Sequence, residues 1–132
     1  MKDLLCDDFQ EAVGESLVRH KSVLDVLTKY QEANARVNRA VVKSVTNCGC
    51  MSVNAQRQRV PSDVSLHDLP QFMDSHISGK LCEQCKEVIE SEIGANMFYL
   101  AALCNLLDLN LYDILIKERK RLSALGIFNF SD

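Results

Sequence analysis

Residues 81–107 read LCEQCKEVIESEIGANMFYLAALCNLL, and this stretch decides the fold. Val88, Ile89, Ile93, Asn96, Met97, Leu100, Leu103, Cys104 and Leu107 recur at i, i+3, i+4 and i+7, the spacing of one face of an α-helix. No proline interrupts them, so the stretch reads as the central core helix. Leu107-Asp108-Leu109-Asn110 then reads as a short turn. A last helix follows from about Leu111 to Leu125 and stops at Gly126, a residue suited to a left-handed C-cap. Lys117, Arg119, Lys120 and Arg121 favour the negative end of that helix. Residues 81–125 are thus expected to form a helical hairpin.

Upstream, residues 7–45 contain no proline and carry apolar side chains at helical spacing through Leu17, Leu24, Leu27, Val37, Val41 and Val45. They read as one long helix or two abutting ones, with a break near Gly14 to Ser16, because glycine weakens a helix interior by about 1 kcal/mol relative to alanine. Gln31, Asn34 and Asn38 interrupt the apolar series at intervals of three or four. Either these amides share a buried or partner-facing surface, or the stripe rotates and they are solvated.

Between the helical halves, over residues 46–80, the periodicity fails. Pro61, Pro70, His67, His76 and the polar run at residues 54–59 all lie here. One short helix is expected from Val64 to Asp74, capped by Ser62 or Asp63. An irregular connection this long is uncommon in a compact domain unless something ties it down. No stretch alternates with period two strongly enough to indicate a sheet, so the expected class is all-α, a long-helix bundle of 132 residues in one domain. Helices of this length in so short a chain can need a second copy to cover their apolar faces.

The charge balance excludes some functions. Fifteen basic and 18 acidic side chains leave a net charge of −3, with no broad basic footprint for nucleic acid or an anionic membrane. The first residues lack the apolar run and cleavage site of a signal peptide, and no stretch approaches the length of a membrane span. A cytoplasmic protein is expected.

In a reducing compartment, paired cysteines point to metal ligation or redox chemistry. Cys48-Gly49-Cys50 and Cys82-Glu83-Gln84-Cys85 form two close pairs on separate segments. Four sulfurs from two chelating pairs are the donor set of a structural zinc site, which would fix the start of the middle loop to the start of the central helix. Cys82 lies near a helix N-terminus, where the dipole and free amide hydrogens favour the thiolate. His76 is the substitute ligand should one cysteine point away. Two further readings stay open: a redox pair at Cys82 and Cys85, with no preceding strand to complete the usual context, and an iron–sulfur cluster, for which Cys-x-Cys spacing is unusual. Cys104, on the apolar stripe, reads as a small core residue, and Cys6 has no partner evident in the sequence.

Glu92-Ile93-Gly94-Ala95-Asn96-Met97-Phe98-Tyr99-Leu100-Ala101-Ala102-Leu103, with Leu107-Asp108-Leu109-Asn110 and residues 117–128, resembles the second half of MazG-like all-α nucleotide pyrophosphohydrolases. Residues 32–43 resemble more faintly that family's preceding Glu-Glu-x-Gly-Glu-Leu segment. The resemblance implies hydrolysis of nucleoside triphosphates through Glu-x-x-Glu and Glu-x-x-Asp pairs that hold magnesium, and a homodimer or higher assembly. Carried over position by position, those pairs fall on Ala33 and Arg36, and on Glu92 and Ala95. One carboxylate of the four survives, and magnesium needs oxygen ligands in near-octahedral geometry. Glu32, Glu92 and Asn96 are what could remain of a nucleotide or magnesium site. The expectation is a MazG-like scaffold without its catalytic metal: a non-catalytic, zinc-clipped binding or regulatory module. The alternatives are a magnesium-dependent pyrophosphohydrolase with altered ligands and a thiol redox sensor.

The remaining features read as structural. The run Lys117-Glu118-Arg119-Lys120-Arg121 fits a solvated helix face, Phe98 and Tyr99 fit core packing, and Asp108 and Asp113 fit caps of the last helix. No nucleophile with a base at recognisable spacing and no glycine-rich phosphate loop appears.

Overall fold

A computed structural model describes residues 4–17 and 21–125. Four helices dominate it: α1 (Leu4–Ser16), α2 (Val23–Lys43), α3 (Glu83–Leu106) and α4 (Leu111–Leu125). The all-α class holds, with one addition. Met51–Val53 (β1) and Ile77–Gly79 (β2) pair as a two-stranded antiparallel ribbon, Met51 opposite Gly79 and Val53 opposite Ile77. The sequence reading expected no strand. Two three-residue strands with no buried side chain carry too few alternations to register.

The break in the N-terminal half falls just beyond the expected position. α1 runs through Gly14 and ends at Ser16, and α2 starts after Ser22, whose hydroxyl accepts from the Leu24 amide at 3.3 Å. Gly14 serves approach rather than breakage, since a β-carbon there would come within 3.2 Å of the Asn105 side chain. α2 and α3 then pack antiparallel along their length, with Val26 and Ala33 of α2 buried and Ile89, Ala101 and Ala102 buried on α3. Val13, Val26, Ala101, Ala102, Cys104 and Leu111 make the core, with Phe9, Leu17 and Phe98 packed against it.

A buried amide joins α1 to the α3–α4 corner. Gln10 Nε2 donates to Asn105 Oδ1 at 2.9 Å and to the Leu109 carbonyl at 2.8 Å, and its Oε1 accepts from the Leu111 amide at 2.8 Å. Asn110 rather than Asp108 or Asp113 caps α4: its Oδ1 accepts from the Asp113 amide at 2.9 Å. Asp108 instead makes the left-handed turn at φ 55° that ends α3. The expected cap at Gly126 lies outside the described residues.

Two further expectations are corrected. The middle segment holds a single 3-10 turn, Leu69–Phe72, in place of a helix from Val64 to Asp74, and neither Ser62 nor Asp63 caps it. Several stripe residues expected in the core are exposed, among them Leu24, Leu27, Val41, Ile93 and Met97. The helix contact follows the smaller side chains, whose size lets the axes approach. No single helix among the described residues is long and apolar enough to cross a membrane.

Candidate metal centre

The last turn of α2 widens into a π-helical turn at Ser44–Cys48, which presents Cys48. Gly49 follows at φ 82°, a left-handed conformation that costs glycine nothing, and its amide closes back on the Ser44 carbonyl at 3.0 Å. This reversal brings Cys50 beside the same turn, with its Sγ 3.8 Å from the Ser44 carbonyl oxygen. Ser44 is itself buried and its hydroxyl donates to the Val41 carbonyl at 2.6 Å.

The ribbon then closes the loop. β1 starts one residue after Cys50 and β2 ends three residues before Cys82, so their pairing returns the chain to its starting point. Gly79 makes the close approach possible: at φ 95°, an added β-carbon would stand 2.5 Å from the Cys50 carbonyl oxygen. Cys82 is the N-cap of α3, and its Sγ accepts from the Cys85 amide at 3.4 Å. The Cys-x-x-Cys spacing places Cys85 in the first turn, facing back toward the pair on the π turn.

The four sulfurs of Cys48, Cys50, Cys82 and Cys85 all lie within 4.8 Å of one another. Four thiolates held tetrahedrally at about 2.3 Å from zinc stand about 3.8 Å apart. Cys48 Sγ and Cys82 Sγ are 3.8 Å apart, well beyond a disulfide bond, and all four are free thiols. The cluster is compatible with a bound metal ion. The Cys85 amide and the neighbouring Cys85 thiol hold the Cys82 thiol down at about 7, and in return Cys82 pushes Cys85 up to about 12. Cys82 is therefore the first of the pair to ionise, as a sulfur at a helix N-terminus should.

His76 stands apart from this cluster. It turns the chain at φ 62° at the far end of the ribbon, where its carbonyl accepts from the Asn54 amide at 2.9 Å and Gln58 bonds Asp74 on both backbone sides. The middle segment is thus tied by the ribbon and the Gln58–Asp74 clamp as well as by the cysteines. Neither tie has a sequence signature. Cys104 is buried in the core, as expected, where burial raises its thiol.

A second concavity, of about 230 Å³, opens along one flank of the α2–α3 pair between Lys29, Glu32, Ala33, Arg36, Glu92, Ala95 and Tyr99. Glu32 and Glu92 meet here, but Asn96 does not. Its amide donates to Asn34 on the opposite flank of the helix pair. Glu32 is already engaged by Arg36 at 2.8 Å and Lys29 at 3.4 Å, and the Arg36 bond and Lys29 charge lower its carboxyl from the usual range. Tyr99 lines this groove while its ring meets Phe98 edge-on at 5.1 Å. The basic run of α4 is exposed, with Arg121 Nε donating to Glu118 Oε1 at 3.0 Å.

No family model, curated protein or solved structure matches this chain.

Proposed function

We propose that this protein is a non-catalytic helical scaffold or regulatory module, derived from a MazG-like pyrophosphohydrolase, in which structural zinc clips the middle segment to α3. The observation that carries the zinc assignment is the convergence of four thiol sulfurs within 4.8 Å, on two chelating pairs. An all-sulfur tetrahedral donor set selects zinc over the hard cations, and with no open ligand position it points to a structural rather than a catalytic metal. A cytoplasmic setting accords with four free thiols.

The groove supports the degenerate-enzyme reading. Ala33, Arg36, Glu92 and Ala95, the four positions onto which the resemblance carries the family's magnesium carboxylates, all line it. Two methyl groups and a guanidinium occupy three of those places, and the extra carboxylate, Glu32, is spent on Arg36 and Lys29. Such a groove offers magnesium too few free oxygens.

Elemental mass spectrometry on protein purified without an affinity tag tests the metal, and pyrophosphate release from nucleoside triphosphates in magnesium tests the chemistry. One zinc per chain and no release are expected. A zinc-free protein overturns the clip, and release that Glu92→Ala abolishes overturns the non-catalytic assignment. The redox reading pairs Cys82 with Cys85 and is supported by the depressed Cys82 thiol. It predicts a reversible disulfide under mild oxidant in metal-replete protein, visible by thiol labelling and mass spectrometry.

A further inference from the structure

One cavity borders the cysteine cluster itself. It measures about 220 Å³, and its lining brings together two of the clustered thiols, Cys48 and Cys85, two apolar side chains, Ala40 and Val88, and a single charged group, Lys43. Lys43 is exposed and makes no ion pair among the described residues, and no carboxylate shares the lining with it. Of the four clustered thiols only Cys48 is exposed; the other three are partly buried. A nucleophile, an apolar wall and an unpaired cation thus meet in one cavity.

Each of these selects a feature of what the cavity takes. Its volume is that of about seven water molecules, below the range of drug-sized sites, so the ligand is small. The ammonium calls for a carboxylate, the apolar side chains for a short carbon chain, and the sulfur for a carbon electrophile. A metal-bound cysteine is already a thiolate, so among four such ligands access decides which one reacts. Access favours Cys48. Its place on the π turn before Gly49 also lets its sulfur leave the metal while Cys82 and Cys85 stay fixed at the start of α3.

We propose that Cys48 is a modification site for small carbon electrophiles that carry a carboxylate, seated beside it by Lys43, and that its modification opens the clip. This rests on the zinc reading above and names a means of regulating that same site. With an α,β-unsaturated acid, the sulfur lone pair forms a C–S bond to the β-carbon. The π pair of the C=C bond then takes a proton from water at the α-carbon, leaving hydroxide to the buffer. With an α-halo acid, the halide leaves with the bonding pair. Either product is a neutral thioether, so the metal loses one of its four thiolates. Cys50 is left as the middle segment's one tie to the metal from its own end.

Limiting iodoacetate on the whole metal-loaded protein tests this, beside iodoacetamide, its neutral counterpart of similar size. Zinc per chain is measured before treatment, labelled sites by fragmentation mass spectrometry, and released zinc with a chromophoric chelator. Each labelling rate is divided by that of the same reagent with a free small thiol. The first label should fall on Cys48, with zinc released in step. In the wild type the normalised rate of iodoacetate should exceed that of iodoacetamide, the reverse of the order that a bare four-thiolate zinc centre, net negative, would impose on a carboxylate. Lys43→Met should lower the iodoacetate rate by about 2- to 5-fold, the worth of a partly exposed ion pair, and leave the iodoacetamide rate unchanged, while Lys43→Arg keeps the preference. First labelling at Cys50, Cys82 or Cys85, or no preference for the carboxylate in the wild type, overturns the inference with zinc still in place. Protein that carries no zinc before treatment overturns the clip, and this inference with it.

Discussion

Gly79→Ala should damage the cysteine cluster although Gly79 contributes no ligand. Two costs add. At φ 95° an alanine pays about 1–2 kcal/mol for a conformation that its β-carbon opposes. The β-carbon would also stand 2.5 Å from the Cys50 carbonyl oxygen, and that atom is backbone and cannot swing away. Restoring ordinary contact opens the ribbon by roughly 0.9 Å at the residue that carries the Cys50 thiol, more than the ~0.2 Å tolerance of metal–ligand distances. Together these amount to about 3 kcal/mol, hence a zinc affinity lower by about 100-fold and a melting temperature lower by about 10 °C for a chain of this size. Competition with a chromophoric chelator gives the first value and calorimetry the second. Gly94→Ala is the control, because nothing lies within 4 Å of a β-carbon there and alanine is the better helix former; it should stabilise by about 0.5–1 kcal/mol. A Gly79→Ala protein with wild-type zinc affinity and melting temperature would refute the reasoning that the ribbon sets the sulfur geometry.

Cys82→Ser removes one ligand and the α3 cap together, so zinc should fall well below one per chain and limited proteolysis should move into residues 54–76; an unchanged cleavage pattern would count against the clip. In metal-free protein, alkylation of Cys82 should rise through pH 7 and reach its plateau about one unit above, because its thiol is held at about 7. The sign follows from a folded value below the ordinary one of 9.0: the contribution to stability is complete above the ordinary value, is lost progressively as the pH falls from there, and is gone below about 7. Peptide mapping after iodoacetamide across pH 6 to 9 reads the profile, and a midpoint near the ordinary thiol value would contradict the cap geometry. Gln10→Leu should cost about 2–4 kcal/mol in denaturant unfolding, because it strands the Leu111 amide, the Leu109 carbonyl and the Asn105 side chain together; a loss under about 1 kcal/mol would mean that water replaces the amide.

The parts of the molecule that were legible in the sequence were those carried by long periodic signals or by residues of narrow chemistry. α3 and α4 fall where apolar spacing and the turn at residues 107–110 put them, and the two cysteine pairs converge as chelating spacing suggests. The ribbon was illegible because its three-residue strands are exposed and its role is to close a loop, which no periodicity records. The face of α2 was misread for a different reason. Large apolar residues outweigh small ones in any hydrophobicity pattern, so Leu24, Leu27 and Val41 drew the stripe, while the helix contact runs through Val26, Ala33 and Ser44. The amides at 31, 34 and 38 were the warning that the stripe faced something other than the core. Asn96 shows the same limit: proximity in sequence to Glu92 gave it a place in the groove, and its helical phase puts it on the other flank.

The distribution of burial shows how much the proposed metal would contribute at the cysteines. No residue from 46 to 80 is buried, so this quarter of the chain gains almost nothing from the hydrophobic effect to offset its conformational entropy, about 1–2 kcal/mol for each residue fixed. The ribbon and the Gln58–Asp74 clamp make hydrogen bonds that water would also satisfy, worth about 1 kcal/mol apiece. A structural zinc site contributes about 10–16 kcal/mol, comparable to the whole stability of an ordinary domain. The core, by contrast, lies at the other end of the α2–α3 pair, around Val13, Val26 and Leu111, and holds α1 and α4 without the metal. With a metal bound as proposed, order in the middle segment would depend on it and order in the helices would not. On that proposal the segment, rather than the fold, is the part that metal loss would loosen.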